Sequence, residues 1–480
     1  MTLKLFNTLG RQKQEFQPMG QTVGMYCCGP TVYAFAHVGN LRTYVFEDVL
    51  RRVLEYNGYA LNQVMNITDV GHLVSDEDEG EDKMILAMKR EGKSALEIAA
   101  FYTAAFLRDL SRLNIEPVEI ICKATDHIPE MLALIQLLDQ RGHAYSIDDG
   151  VYFDVKTFPS YGALSGLDLE GQEAGARVEV NQQKHNASDF ALWKRAAPNH
   201  LMQWDSQFGR GFPGWHIECS AMSMKYLGNH FDIHCGGVDH IPIHHENEIA
   251  QSEGATGEKF VNYWLHGEFL QMDGGKMSKS LGNLYTLDDL AARGVEPLSY
   301  RYFLLNAHYR TKLNYTWEAL EAQQRAYRRL REFVGGALAA GQDGASLGDT
   351  AWLEPYHNSF VEAINDDLNM PRALGLCWEL IAEAKRLGSG ALLAARQQLL
   401  DFDRVLGLGL GEVLAFRPAA HSSSDTSSLD DQVNLLIAER KAARANKDFK
   451  RGDEIRDELK GLGIELIDKP GGITEWRKAD

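Results

Sequence analysis

Two lysines three residues apart, with a serine between them, make Lys276-Met277-Ser278-Lys279-Ser280 a run suited to a phosphate chain whose charge shifts during reaction. Asp273-Gly274-Gly275 precedes it and Leu281-Gly282-Asn283 follows, so glycine frees the backbone on both sides. A solvated surface loop has the same composition, and other residues must decide. His37-Val38-Gly39-Asn40 is a second phosphate-compatible element, at the mouth of a predicted helix. A helix N-terminus favours an anion, Gly39 admits close backbone approach, and His37 can donate to phosphate oxygens. Alone, this pattern is weak. Together the two elements would flank one sheet edge.

A third constellation is His244-His245-Glu246-Asn247-Glu248. On a helix His244 and Glu248 lie one turn apart on one face, a spacing that suits two ligands of one metal. Cys219, in Trp215-His216-Ile217-Glu218-Cys219, and Cys28, at a predicted strand end, would complete a Cys/Cys/His/Glu set, for which zinc is the natural occupant. Spacing does not choose Cys28 over Cys27, and leaves Cys235 and His234 open. The bland alternative, a helix capped by satisfied polar residues, is hard to sustain for so dense a cluster.

These residues need a scaffold. The sequence of 480 residues is long enough for several domains, with 44% hydrophobic and 24% charged residues, as in soluble globular proteins. The first twenty residues are polar and no apolar run is long enough to cross a bilayer, so neither a signal peptide nor a membrane span is expected. Six cysteines in a chain of this size fit a reducing cytosol better than a disulfide framework. The net charge of −18 argues against nucleic-acid binding over the whole surface, though basic residues gather from Arg440 to Lys460.

The pattern predicts a strand over Thr22–Cys28, a helix over Val38–Tyr56 and a strand over Leu61–Ile67, the opening of a parallel α/β layer whose ligands bind at strand carboxyl ends. Further elements are expected at Ala95–Leu113 (helix), Ile120–Ala124 (strand) and Ile128–Arg141 (helix). Short strands and turns from His143 to Trp193 read as an insertion, after which the layer resumes through Met272. Thr286-Leu287-Asp288-Asp289 has capping-box form. Trp317 to about Leu406 reads as a helical bundle, and the Ser/Asp-rich stretch from His421 as a linker. A small terminal domain follows, with helices near Asp431–Asn446 and Asp448–Lys460, then strands around a turn at Pro470-Gly471-Gly472.

His37-Val38-Gly39-Asn40 and Lys276-Met277-Ser278-Lys279-Ser280 resemble the two signatures of class I aminoacyl-tRNA synthetases. Tyr26-Cys27-Cys28-Gly29-Pro30-Thr31-Val32-Tyr33, Asn66-Ile67-Thr68-Asp69, the run from Gly214 to Met222 and that from His244 to Gln251 resemble the cysteinyl-tRNA synthetase family in particular. The resemblance implies a Rossmann-like parallel-sheet catalytic domain in two halves, 1–116 and 205–265, around an inserted connective domain, 117–204. It further implies a mobile-loop and stem-contact region at 266–315, a helical bundle at 316–420, a linker at 421–429 and a C-terminal anticodon-binding domain at 430–480. It implies one zinc ion per chain on Cys28, Cys219, His244 and Glu248, reading the thiol of L-cysteine. Gly29, Thr31, Thr68 and Trp215 would line the cysteine site. His37, Gly39, Asn40, Gly237, Asp239, Lys276 and Lys279 would bind ATP, which carries magnesium, with His37, Lys276 and Lys279 catalytic. Cysteine tRNA is the implied partner, its anticodon meeting the basic terminal region and Trp476. The expected setting is a cytoplasmic monomer. The family signature usually ends in His, where this sequence has Asn40, which cannot carry a positive charge. A related ligase that joins cysteine to an amino-sugar inositol would lack the terminal domain, and a non-catalytic paralogue would have lost the loop lysines or the metal set. A plain nucleotidylyltransferase would be far shorter.

Overall fold

The computed structural model describes residues 1–70, 83–166, 182–197, 200, 202–272, 274–275, 284–342, 350–411, 455, 459, 464–469 and 473–478. The chain divides into two units, 1–415 and 416–480. The acidic run at 75–82, the lysine run at 276–280 and the stretch expected as a linker at 421–429 lie outside the described residues.

The first unit opens with a hairpin, β1 (Lys4–Asn7) and β2 (Gln12–Glu15). Next come β3 (Thr22–Cys27), α1 (Val38–Tyr56), β4 (Ala60–Ile67), α2 (Lys83–Glu91), α3 (Ala95–Arg112), β5 (Ile120–Lys123) and α4 (Ile128–Gln140). Short strands β6 (Ala144–Ile147), β7 (Gly150–Phe153), β8 (Phe190–Arg195) and β9 (Gly211–Pro213) lead to α5 (Trp215–Leu227), β10 (Phe231–Gly237), α6 (His244–Thr256), β11 (Val261–Gly267) and β12 (Leu270–Met272). Then come α7 (Leu287–Ala292), α8 (Pro297–Leu305) and β13 (Leu313–Tyr315), and the helices α9 (Trp317–Gln342), α10 (Glu354–Asn365), α11 (Met370–Leu387) and α12 (Ser389–Leu406). The expected capping box is present at α7, where Thr286 and Asp289 bond reciprocally.

The central sheet is wholly parallel, in the order β11-β10-β3-β4-β5. Both faces are covered, so β10 and the inner part of β4 are continuous buried runs rather than alternating ones. β5, the strand expected at Ile120–Ala124, pairs with β4 as the last strand of this sheet. The antiparallel sheet β6-β7-β8-β9 runs from Ala144 to Pro213, because β8 needs β9 as its second partner.

Helix α1 packs between sheet and bundle through a buried ion network. Arg301 on α8 has no exposure and meets Asp48 of α1 at 2.5 Å. It also donates to the carbonyls of Leu406 (2.8 Å) and Leu113 (3.1 Å), while Arg52 completes Asp48 at 2.7 Å. Gly407 ends α12 in the left-handed region at φ 62°, and a Cβ there would run into the Arg301 guanidinium. In the second unit β14 (Ile464–Lys469) and β15 (Ile473–Lys478) pair antiparallel on either side of the expected turn. Of its expected helices only Ile455 and Leu459 are described; both are helical and buried. Among the described residues no helix is long and apolar enough to cross a membrane.

Removing one partner of a buried pair strands the other charge. Arg301→Ala is expected to cost about 3–5 kcal/mol of stability in urea unfolding, and Gly407→Ala to destabilise through the same guanidinium.

Candidate active site and metal centre

Strand order reverses at β3, with β10 on one side and β4 on the other, and a crevice opens beyond their carboxyl ends. A cavity of about 750 Å³ fills it. Its lining includes Cys28, Gly29, Thr31, Thr68, Trp215 and Cys219 on one side, and His37, Gly39, Asn40, Gly237 and Asp239 on the other. The structure thus brings together almost every described residue singled out from the sequence. Lys276 and Lys279 lie outside the described residues.

The pleat of the sheet separates the cysteines. Cys27 and Cys235 point into the core layer shared with α1, whereas Cys28 belongs to the opposite layer with Cys219. On that side the donor atoms of Cys28, His244, His245 and Glu248 all lie within 4.8 Å of one another, and all four residues are buried. His244 Nε2 is 3.0 Å from Glu248 Oε1, and Cys28 Sγ is 3.3 Å from His245 Nε2. Cys219 is buried in the same core layer as Cys28 and lines the same cavity as Cys28 and His244.

Electrostatics keeps Glu248 and His244 charged although both are buried. Burial would raise the Glu248 carboxyl, but His234 and His244 outweigh it and bring it down to about 2. Burial likewise opposes the His244 cation, yet Glu248 and Cys219 raise it to about 10. The hydrogen bond from Cys28 draws the Cys219 thiol down to about 7 against the effect of burial. Burial, with Cys219 beside it, pushes the Cys28 thiol well up. Glu248 Oε1 is buried and faces His244 Nε2. A buried mixed S/N/O donor set whose ligand atoms converge on one point fits a zinc ion.

Around these groups lies a shell of which the sequence left His234 open as a ligand and did not single out His266 or Thr8. His234 Nε2 is 2.9 Å from Glu248 Oε2, and His216 Nδ1 is 3.0 Å from His244 Nδ1. His245 Nδ1 is 2.8 Å from His266 Nε2, and His266 Nδ1 is 2.7 Å from Thr8 Oγ1 in the N-terminal hairpin loop. Burial and neighbouring imidazoles push His245 well below its ordinary range, so it is a neutral ring whose tautomer this relay sets. The available signal was a polar residue inside a buried apolar run: His234 sits in the middle of β10 and His266 one residue from the end of β11. Glu246, by contrast, points away and accepts from the backbone N–H groups of Gly162, Leu164 and Ser165.

On the nucleotide side, His37 and Asn40 cap α1 reciprocally. The Asn40 N–H donates to His37 Nδ1 at 3.2 Å, and His37 N–H donates to Asn40 Oδ1 at 3.2 Å. Asn40 thus has a structural task beside the contact expected of it. Gly29 N–H donates to Asn66 Oδ1 at 2.7 Å, and Thr31 and Thr68 pair in a parallel bridge. Trp215 opens α5 and lies over His244, ring centroids 4.6 Å apart.

Residues 15–325 match the family model for the class I (C) tRNA synthetase catalytic domain. A protein described as cysteine–tRNA ligase 1 of Burkholderia lata is 50% identical, with 98% of this chain and 96% of that one covered. The chain belongs to the cysteine–tRNA ligase family. A second member, from Treponema denticola, is 47% identical over the whole of both chains. Residues 359–411 match the DALR domain, and 426–477 match the cysteinyl-tRNA ligase anticodon-binding domain. The fold is that of class I synthetases. A Mycobacterium tuberculosis methionyl-tRNA synthetase in complex with methionyl-adenylate superposes with TM-score 0.59 at 16% identity, covering 82% of this chain and 93% of that one. Membership of this family makes the chain an ATP-dependent ligase.

A Cβ on Gly29 would overlap the carbonyl oxygen of Asn66. Gly29→Ala is therefore expected to lower stability by about 3 kcal/mol and to displace Cys28, read as a lower melting temperature together with a lower metal content.

Proposed function

We propose that the chain activates L-cysteine with ATP to cysteinyl-adenylate, releasing pyrophosphate, and transfers the cysteinyl group to the 3′-terminal adenosine of cysteine tRNA, releasing AMP. The observation that carries this reading is the single cavity whose one side is the start of α1 and whose other side is the Cys28/Cys219/His244 cluster. Matches to cysteine–tRNA ligases over the full chain support the same substrates.

In the first step the cysteine carboxylate attacks the α-phosphorus and pyrophosphate leaves. In the second a terminal ribose hydroxyl attacks the mixed anhydride and AMP leaves. No side chain need act as nucleophile; placement and charge stabilisation lower the barrier. His37, Gly39 and Asn40 would contact the ATP phosphates at the start of α1, and Gly237 and Asp239 the nucleoside. Lys276 and Lys279 would neutralise the phosphate charge, with magnesium. Gly29, Thr31, Thr68 and Trp215 would hold the amino acid, Trp215 closing over the ring of His244.

Zinc would be held by Cys28, Cys219, His244 and Glu248. When bound it supplies preference for sulfur, since it lowers a thiol pKa and takes thiolate over hydroxyl. An apolar pocket separates side chains differing by one small group by only about 1–3 kcal/mol, so selection through sulfur makes editing unnecessary. The distances favour a second ligand set, with His245 in place of Cys219.

Labelled cysteine is expected to be attached to total tRNA in an ATP-dependent manner, with no attachment of serine. Lys279→Ala should lower charging by about 100-fold or more. Pyrophosphate exchange with cysteine but no charged tRNA would overturn the tRNA assignment. Metal analysis should give one zinc per chain, lost in Glu248→Gln. After cobalt substitution, thiolate charge-transfer absorption that halves in Cys219→Ser supports the two-cysteine set. Unchanged absorption gives the position to His245.

A further inference from the structure

We propose that Phe35 and Phe101 form an aromatic ledge at the cavity mouth on which the unpaired bases at the 3′ end of the tRNA stack. The inference rests on the ligase reading above and places that substrate's single strand on the protein surface.

Phe35 lies two residues before His37, lines the cavity and is 43% exposed; Phe101 lies on α3 and is 46% exposed. Their ring centroids are 5.8 Å apart at 66°. Tyr102 is the buried floor beneath them, 5.0 Å from Phe35 and 5.1 Å from Phe101, each edge-on. Its hydroxyl is fixed by Glu91 at 2.5 Å and Arg90 at 3.3 Å. The ledge is thus held rigidly by its lower ring while both upper rings face water. Core packing does not account for two adjacent half-exposed phenyl groups beside a reaction cavity.

Positive charge borders the rings. Lys93 Nζ is 4.7 Å from the Phe101 centroid, and Arg90 is half exposed. Glu91 is paired with both cations, at 2.7 Å and 3.8 Å, and Glu97 also faces Lys93. Aromatic faces beside cations are what binds single-stranded nucleic acid without reading its sequence, by stacking on bases and attracting phosphates. The transfer step needs one terminal ribose inside the cavity, while the nucleotides before it remain at the mouth, where the ledge stands. The adenine of ATP is the competing occupant, because Phe35 also lines the cavity.

The test measures tRNA charging and cysteine-dependent pyrophosphate exchange on the full-length protein. Phe101→Ala is expected to lower kcat/KM for tRNA roughly tenfold, about 1.4 kcal/mol, with exchange and melting temperature unchanged. Phe101→Tyr, which keeps a stacking face, should restore charging. Equal losses in charging and exchange would give the ledge to ATP and overturn the proposal. So would charging within twofold of wild type in both Phe101→Ala and Phe35→Ala. A wild-type protein that exchanges pyrophosphate but charges no tRNA would instead remove the ligase reading on which the proposal stands.

Discussion

A carboxylate with no exposure to water is the constraint around which the site is arranged. Glu248 is fully buried, and an isolated ion in that position would neutralise itself by taking up a proton. It stays ionised because His234 and His244 approach it from β10 and from its own helix. Those imidazoles are in turn held by other buried groups, His244 by His216 among them. One charge thus demands a succession of oriented partners. A metal cation at the same place would stabilise the same carboxylate charge that His244 and His234 now balance.

The architecture delivers these partners to one point because a parallel sheet ends all its strands on the same side. β3 and β11 contribute Cys28 and His266 at their carboxyl ends and β10 contributes His234 from its middle, and α5 and α6 start there with Trp215, Cys219 and His244. The helix starts supply positive dipole ends beside the same crevice, which suits an anionic substrate. Close backbone approach at Gly29 keeps β3 and β4 together at this edge, and no larger residue fits. The stability of the site therefore depends on packing well below it, including the Asp48–Arg301 pair that ties α1 to the bundle.

Much of this was legible in sequence because it is local. The boundaries of β3, α1 and α4 follow from hydrophobic period and from capping residues, and the structure places them within a residue of expectation. The i, i+4 spacing of His244 and Glu248 depends only on helix geometry, and the pair meets at 3.0 Å. The sheet to which β5 belongs was not legible, because so short a strand carries no local sign of its neighbour. Only its pairing with β4 assigns it to the central sheet.

The sequence by itself determined which chemistry is available: a dense Cys/His/Glu set, a helix start bearing His37 and Gly39, and a lysine pair on a glycine-flanked run. It left Cys27 and Cys28 equivalent, because adjacent residues differ only in the face to which they point. The tertiary structure separated them, since strand pleating sends Cys27 toward α1 and Cys28 toward α5 and α6. It alone also decided that Thr8 and His266, 258 positions apart, belong to the same site. Proximity of that kind comes from packing, and no local period in a sequence encodes it.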